Sequence, residues 1–354
     1  RPGERVELTG AFRAPRPPSN PGGYDGLTWA LRQGLLGSLS VGGPDGVRIL
    51  GPAEGALAGL RRLRERLHGR ILARFASPEA ELLDALLLGI REPLDQTLSD
   101  AFLETGTVHY LAISGSHIVI LLGALSLFLR LTPLGFRARA GVLILAAAFY
   151  AALVGFQAPV ARSALTASLA AAASLFGRPR AAWNALCAAA IAIGLYDPSQ
   201  TFRPGFQLSF LAVAGILLLF APLKARLEAR LHPRGRLGRY GVDAFAMSAA
   251  AWMAVLPLVA WHFHLVTPVV VLANLIVFPL ITLGMGAGVL AMLCPDWMAG
   301  PWVLAARAAL QTLDGTVRIL AEVPGGHVYV GDFPVPLLAG AYLALLLVAW
   351  RLRG

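Results

Sequence analysis

The chain has 354 residues, 56% hydrophobic and only 14% charged, with a net charge of +10 and a mean hydropathy of +0.65. A soluble domain carries about a quarter of its residues as charged groups, so these proportions exclude a soluble globule of this length. The apolar residues are gathered into long runs, as bilayer spans require. Lys224 is the only lysine, so the positive charge is almost all arginine. Either a GC-rich coding sequence or phosphate binding by guanidinium forks accounts for that bias. Cys187 and Cys294 lie in apolar runs without a CxxC partner or a histidine at metal spacing. Both read as membrane-embedded thiols, and no metal or cofactor is expected.

Residues 1–52 differ from all that follows. Arg5–Phe12, Leu36–Val41 and Val47–Leu50 read as short strands, with Gly-Gly-Pro-Asp-Gly at 42–46 as a turn and Pro15–Gly23 as an irregular connection. The segment is a small partial β unit, too short to bury a core alone. No signal peptide opens the chain, and a first residue other than Met predicts a fragment or a processed product. Residues 53–106 read as amphipathic interfacial helices. In 55–75, Leu57, Leu60, Leu63, Leu67, Ile71 and Phe75 share one face, and Arg61, Arg62, Arg64, Arg66 and Arg70 lie opposite. Such a helix binds anionic headgroups or presents its arginines to a polyanion. Glu79–Ile90 is apolar for only about three turns, too short to span.

Residues 107–354 then supply candidate spans at 107–130, 138–156, 159–176, 181–196, 205–221, 242–261, 268–283, 284–295 and 335–351. Residues 300–323 read as a further amphipathic helix. The expected fold is an all-α polytopic membrane bundle with discontinuous helices behind the small β segment. Basic loops at 130–139, 178–180 and 222–239 alternate with weakly charged connections near 157, 197–203 and 262–267. The positive-inside rule places the basic loops in the cytoplasm and residues 1–106 outside.

Polar residues inside apolar runs are costly and mark function or helix contacts. On a continuous helix with steps of about 100°, His109, Ile113, Ser116, His117, Ile120 and Gly123 form one stripe. Ser114, Gly115 and Ser116 loosen its ladder. Three readings are open for the stripe: an aqueous path, interhelical hydrogen bonding, or a metal site lacking a third ligand. Pro159 opens a span, and Arg162, one turn inside it, either snorkels to the interface or faces the bundle interior. Gln207 and Ser209 begin another span. Asn274 lies within a run that Pro279 is expected to break. Phe206, Phe210, Trp252, Trp261 and Phe263 are candidate stacking platforms for bases, or belt residues at the interface. There is no Walker A sequence, no HExxH and no acidic pair for two metals, so the expectation is a non-enzyme that does not energise transport itself.

These motifs resemble the ComEC family of bacterial competence proteins. The family segment T-G-x-x-H-L-L-A-I-S-G-x-H reads here from Thr105 to His117, with Tyr110 in place of an aliphatic residue. Residues 85–91 resemble the L-L-x-G-x-R lead-in. Tyr150, Gly155, Phe156, Pro159, Arg162 and Ala164 match the next motif, with Ser163 departing from it. Asp197-Pro198, Gly205–Val213 and Asn274–Pro279 match two more, and Asn20–Asp25 resembles the approach from an OB-like domain. The resemblance implies an OB-like origin for the β segment, and a channel in the bacterial inner membrane that passes one strand of DNA inward. It implies single-stranded DNA, membrane lipids, a DNA receptor and a cytoplasmic motor ATPase as partners, with self-association open. The family's metallo-β-lactamase-like domain is absent from this sequence. A secondary transporter of a small solute and an intramembrane metal-dependent hydrolase built on His109 and His117 are the alternatives.

Overall fold

The computed structural model describes residues 4–17, 26–33, 35–52, 54–90, 94–113, 115–155, 158–175, 182–331 and 334–353. Ser114, Phe156, the basic positions 178–180 and the segment 20–25 lie outside the described residues. The chain divides into two compact units, Arg1–Arg66 and Leu67–Gly354.

The smaller unit contains β1 (Glu4–Leu8), β2 (Ala11–Arg13), α1 (Gly26–Gln33), β3 (Ser38–Ser40), β4 (Val47–Pro52) and the first part of α2 (Ala56–Arg74). The single strand expected over 5–12 is two strands. β1 pairs antiparallel with β4, and β2 with β3, so the chain changes partner at Thr9–Gly10. Gly10 permits the change, because a Cβ there would collide with the Ser40 carbonyl. The turn at 42–46 is present, and Thr9 N–H donates to Gly46 O across it at 2.8 Å. Helix α1 has only eight residues, too few for a periodicity to stand out in the sequence.

The larger unit continues through α3 (Glu79–Leu88), α4 (Gln96–Glu104), α5 (Val108–Leu111), α6 (Gly115–Arg130), α7 (Phe136–Leu153), α8 (Ala158–Leu175) and α9 (Ala182–Tyr196). It ends with α10 (Pro204–Leu231), α11 (Gly235–Phe263), β5 (Leu265–Val266), α12 (Val270–Leu293), α13 (Asp296–Ala321), β6 (Val328–Tyr329) and α14 (Val335–Arg353). Helices α7, α10, α11 and α12 are long and apolar enough to cross a membrane, and α6 and α9 are shorter apolar helices. This is a multi-pass helical membrane protein with a small β segment at its start.

Four expectations are corrected. The span at 107–130 is not one helix: α5 ends at Leu111, Ala112 is extended, and α6 starts at Gly115. The expected stripe is therefore split, with His109 exposed on α5 and His117 fully buried on α6. In the opposite sense, α12 runs unbroken through Pro279. Proline deletes one ladder bond without ending a helix whose flanks are packed, so 268–283 and 284–295 are one element. The basic loop at 222–239 shrinks to residues 232–234, since α10 and α11 extend into it. Finally, α3 does not lie on a surface. Every residue of it except Glu81 is buried, including Glu79 and Asp84, and a helix buried all round belongs to a core.

The main core joins α3, α4, α12 and α13 with Ile71 from α2, Phe75 just after it and Ile120 from α6. Gly288 makes the closest contact possible, because a Cβ there would press on the Leu83 side chain. Helix α13 buries Ala299, Ala306, Leu310, Leu313 and Val317, the spacing of one helical face. A second cluster packs Ile113 and Ile118 against Ala147, Ala151, Val160 and Ala164. A third joins α10, α11 and α14 through Leu219, Ala250 and Ala349.

Candidate functional site

Three helix ends converge around Arg162. Pro159 stands at the second position of α8, where its missing N–H costs nothing, and Arg162 follows about one turn inside. Arg162 is only 5% exposed, so it faces the bundle interior. Its Nη2 donates to Gly205 O, at the start of α10, at 2.7 Å. Its guanidinium carbon lies 6.0 Å from the centroid of the Phe206 ring, an aromatic contact with the cation. Phe206 in turn packs on Phe210 with centroids 4.4 Å apart.

Gln207 extends the site to α11. Its Nε2 donates to Thr201 O at 3.1 Å, which turns its Oε1 toward His262 Nε2 at 3.0 Å. An amide oxygen only accepts, so His262 donates from Nε2. On the other side, Gly115 opens α6 against Ser163, where a Cβ would stand 2.6 Å from Ser163 Oγ. Ser163 Oγ donates to Pro159 O at 3.0 Å, and Thr166 Oγ1 to Arg162 O at 2.9 Å.

The electrostatics follow from these partners. Among the described residues no carboxylate pairs with Arg162, which has one carbonyl and one ring face. It also stands at the N-terminal end of α8, where the helix dipole is positive. A cation in that place is unfavourable to the fold and sets up a positive potential at the helix ends.

A second polar node adjoins the start of α12. Gly106 has φ +71°, and a Cβ there would clash with Thr267 Oγ1. Buried Thr105 donates to Ala101 O at 2.8 Å and lies 2.7 Å from Thr107 Oγ1. His109 Nδ1 donates to Gly106 O at 3.0 Å. Lower in the bundle, Asn274 Nδ2 donates to Ser248 Oγ at 2.9 Å.

The structure thus gathers Gly115, Pro159, Arg162 and Gln207, and it buries His117 beside the contact of α6 with α8. Ser116 and Ser209 are half-buried on α6 and α10. His109 and His117 fall on different helices with opposite exposure, which removes the shared face that the hydrolase alternative needs. Asn274 belongs to the α11–α12 contact. Arg61, Arg62, Arg66 and Arg70 are exposed on α2 and Arg64 is half-buried; Arg70 also donates to Met292 O at the far end of α12 at 2.9 Å. Sequence reasoning missed His262 and Ser248, and it saw Gly205 only as a motif residue, not as the acceptor of Arg162. Only the three-dimensional pairing with Gln207, Arg162 and Asn274 distinguishes them.

Residues 86–354 match the family described as Competence protein. The chain belongs to the competence protein family. It is 30% identical to ComE operon protein 3 of Bacillus subtilis over 298 residues, which covers 82% of this chain and 36% of that protein. It is 29% identical to competence protein ComA of Neisseria gonorrhoeae, covering 72% of this chain and 39% of that one. It is 26% identical to the uncharacterized protein YcaI of Escherichia coli, covering 77% and 37%. The chain therefore spans well under half the length of these relatives. No solved structure matches it. The family match starts within α3, so the Arg162 site, the Thr105 node and the α12–α13 core all fall in the competence segment.

Proposed function

We propose that this competence protein is the membrane channel through which a single DNA strand passes inward during natural transformation. The observation that carries the reading is the buried Arg162, held by a carbonyl and a ring face and, among the described residues, without a carboxylate. A fixed interior cation beside a pair of phenylalanines suits a strand whose phosphates need charge and whose bases need a stacking surface. In this reading the membrane is the bacterial cytoplasmic membrane. The Arg162 ends of the helices face outward, as does the β segment with the exposed Arg61 and Arg66. Arg70, also exposed on α2, spends one of its five N–H donors on Met292 O at the α12 terminus and belongs to the same row. Single-stranded DNA is the cargo, and a DNA receptor and a cytoplasmic motor are the partners such a channel needs, since the sequence carries no Walker A motif.

The test is uptake of labelled DNA by cells expressing Arg162→Gln or Arg162→Lys, with membrane insertion verified by blotting. Losing a charge-assisted contact of about 2 kcal/mol lowers uptake about thirtyfold in the glutamine variant, with partial recovery in the lysine variant. Normal uptake by stably inserted Arg162→Gln would overturn the role of this site.

A further inference from the structure

We infer that the tip of the α10–α11 hairpin is a second binding surface for a single nucleic-acid strand, at the end of the bundle opposite Arg162, an inference that rests on the channel reading. The tip carries Arg226, Arg230, Arg234, Arg236 and Arg239, all exposed. Both helices run into this segment and leave a turn of residues 232–234 only. His232 closes α10 in the left-handed conformation, and its N–H donates to Glu228 O at 3.0 Å. The arginines therefore stand on two packed helices, not on a loose loop. The two carboxylates nearby are both spent on the one lysine of the chain: Lys224 Nζ lies 2.6 Å from Asp243 and 3.9 Å from Glu228. Arg226 donates to Arg351 O, at the end of α14, at 3.2 Å. Among the described residues, the side chains of Arg230, Arg234, Arg236 and Arg239 have no ion pair or hydrogen bond.

Three helices give the depth of this row. From Pro204 to Lys224 along α10, and from Phe263 to Asp243 along α11, is about 30 Å of helix in each, the thickness of the hydrocarbon core. The end of α14 agrees, since Trp350, beside Arg351, is 74% exposed, as a residue at the membrane interface is. Past the Lys224–Asp243 pair, α10 continues to Leu231 and α11 reaches back to Gly235, about 10 to 12 Å further. The headgroup layer adds only about 5 to 7 Å on each side. Arg226 and Arg239 thus stand at headgroup level, and Arg230, Arg234 and Arg236 stand in water beyond it. Lipid phosphates reach the first two and not the outer three. A row of cations in water suits a polyanion with regularly spaced charges, which a nucleic-acid strand is. Leu231, Leu237 and Tyr240 are exposed among the arginines. A single strand offers unstacked base faces to such side chains as well as its phosphates, whereas a duplex keeps its bases stacked.

The experiment is fluorescence anisotropy of a labelled oligothymidylate with the full chain in phosphatidylcholine nanodiscs, across a salt series. Replacing Arg230, Arg234 and Arg236 together by Gln removes three phosphate contacts. The slope of log affinity against log salt is expected to become shallower by about 2. The arginines of α2 contribute equally to every chain compared, so they cancel in this difference. The same three positions changed to Lys keep the slope, which separates lost charge from lost fold. An unchanged slope in the glutamine variant overturns the inference, as does a lysine variant that loses as much. Equal competition by a DNA duplex or by polyglutamate of matched charge also overturns it, since either marks a general anion surface. If phosphatidylglycerol in the nanodisc abolishes the difference between the chains, lipid occupies the row and the inference falls. Uptake by Arg162 variants does not enter this readout, so failure of the channel reading and failure of this surface are told apart.

Discussion

Arg74 and Arg162 are both largely buried arginines in an apolar chain, but their surroundings differ. Arg74 meets a carboxylate and two carbonyls at the end of α12, and its charge is neutralised where it sits. Arg162 meets one carbonyl and one phenylalanine ring, and its charge is left to act at a distance. The first arrangement fastens α2 to the α12–α13 hairpin. The second adds little to the fold and creates a field. Burial of a charged residue therefore does not by itself mark function; the sum of its partners does.

The comparison predicts opposite phenotypes. Arg74→Gln leaves carbonyl acceptors and Asp296 without their donor and destabilises the chain by about 3 kcal/mol, read as a lower thermal midpoint in detergent. Arg162→Gln moves that midpoint far less while abolishing most uptake. If both variants lose stability equally, the distinction fails. Gly106→Ala probes the node at the other end of α12. It introduces a Cβ at positive φ and against Thr267, with an expected loss of about 2 kcal/mol in the same unfolding assay. Ser248→Ala removes the acceptor of Asn274 and costs about 0.6 kcal/mol, the usual scale of interhelical bonds in membranes. A double variant with Asn274→Ala then shows no further loss beyond the lost packing.

The smallest effect concerns Asp197, at the turn before α10. Hydrogen bonds from Ser199 and Gln200 hold its carboxyl below the ordinary value of 3.8. A depressed folded value means the stabilisation is present above 3.8 and is lost as pH falls through the folded value. Asp197→Asn should therefore unfold slightly more easily than the unmodified chain at neutral pH, and the two should converge in acid. A difference that persists or widens in acid would contradict the capping role.

Particular residues show how far the sequence could be read. The motif residues Gly115, Pro159, Arg162 and Gln207 were each visible as polar or breaking positions in apolar runs, and they meet in space. The breakers behaved differently from one another. Around Gly115 the helix stopped, because the chain there turns to bring α6 against Ser163. At Pro279 it continued, because α12 is braced along its length by α3 and α13. Local propensity is the same kind of signal in both places, and only the packing decides the outcome. The arginine row of α2 reads as uniform in the sequence, yet Arg70 and Arg74 are engaged by backbone carbonyls more than two hundred residues away.

The sequence by itself determined the class of the molecule. Sparse charge and long apolar runs, in place of the alternation a β-barrel needs, leave helices to satisfy the backbone within a membrane. Its motifs also marked which spans carry polar chemistry. The tertiary structure decided which of those groups are spent on the fold and which are not. Periodicity and motif spacing are properties of a few consecutive turns, whereas neutralising Arg74, leaving Arg162 without a carboxylate among the described residues, and pairing Gln207 with His262 depend on groups brought together from distant parts of the chain.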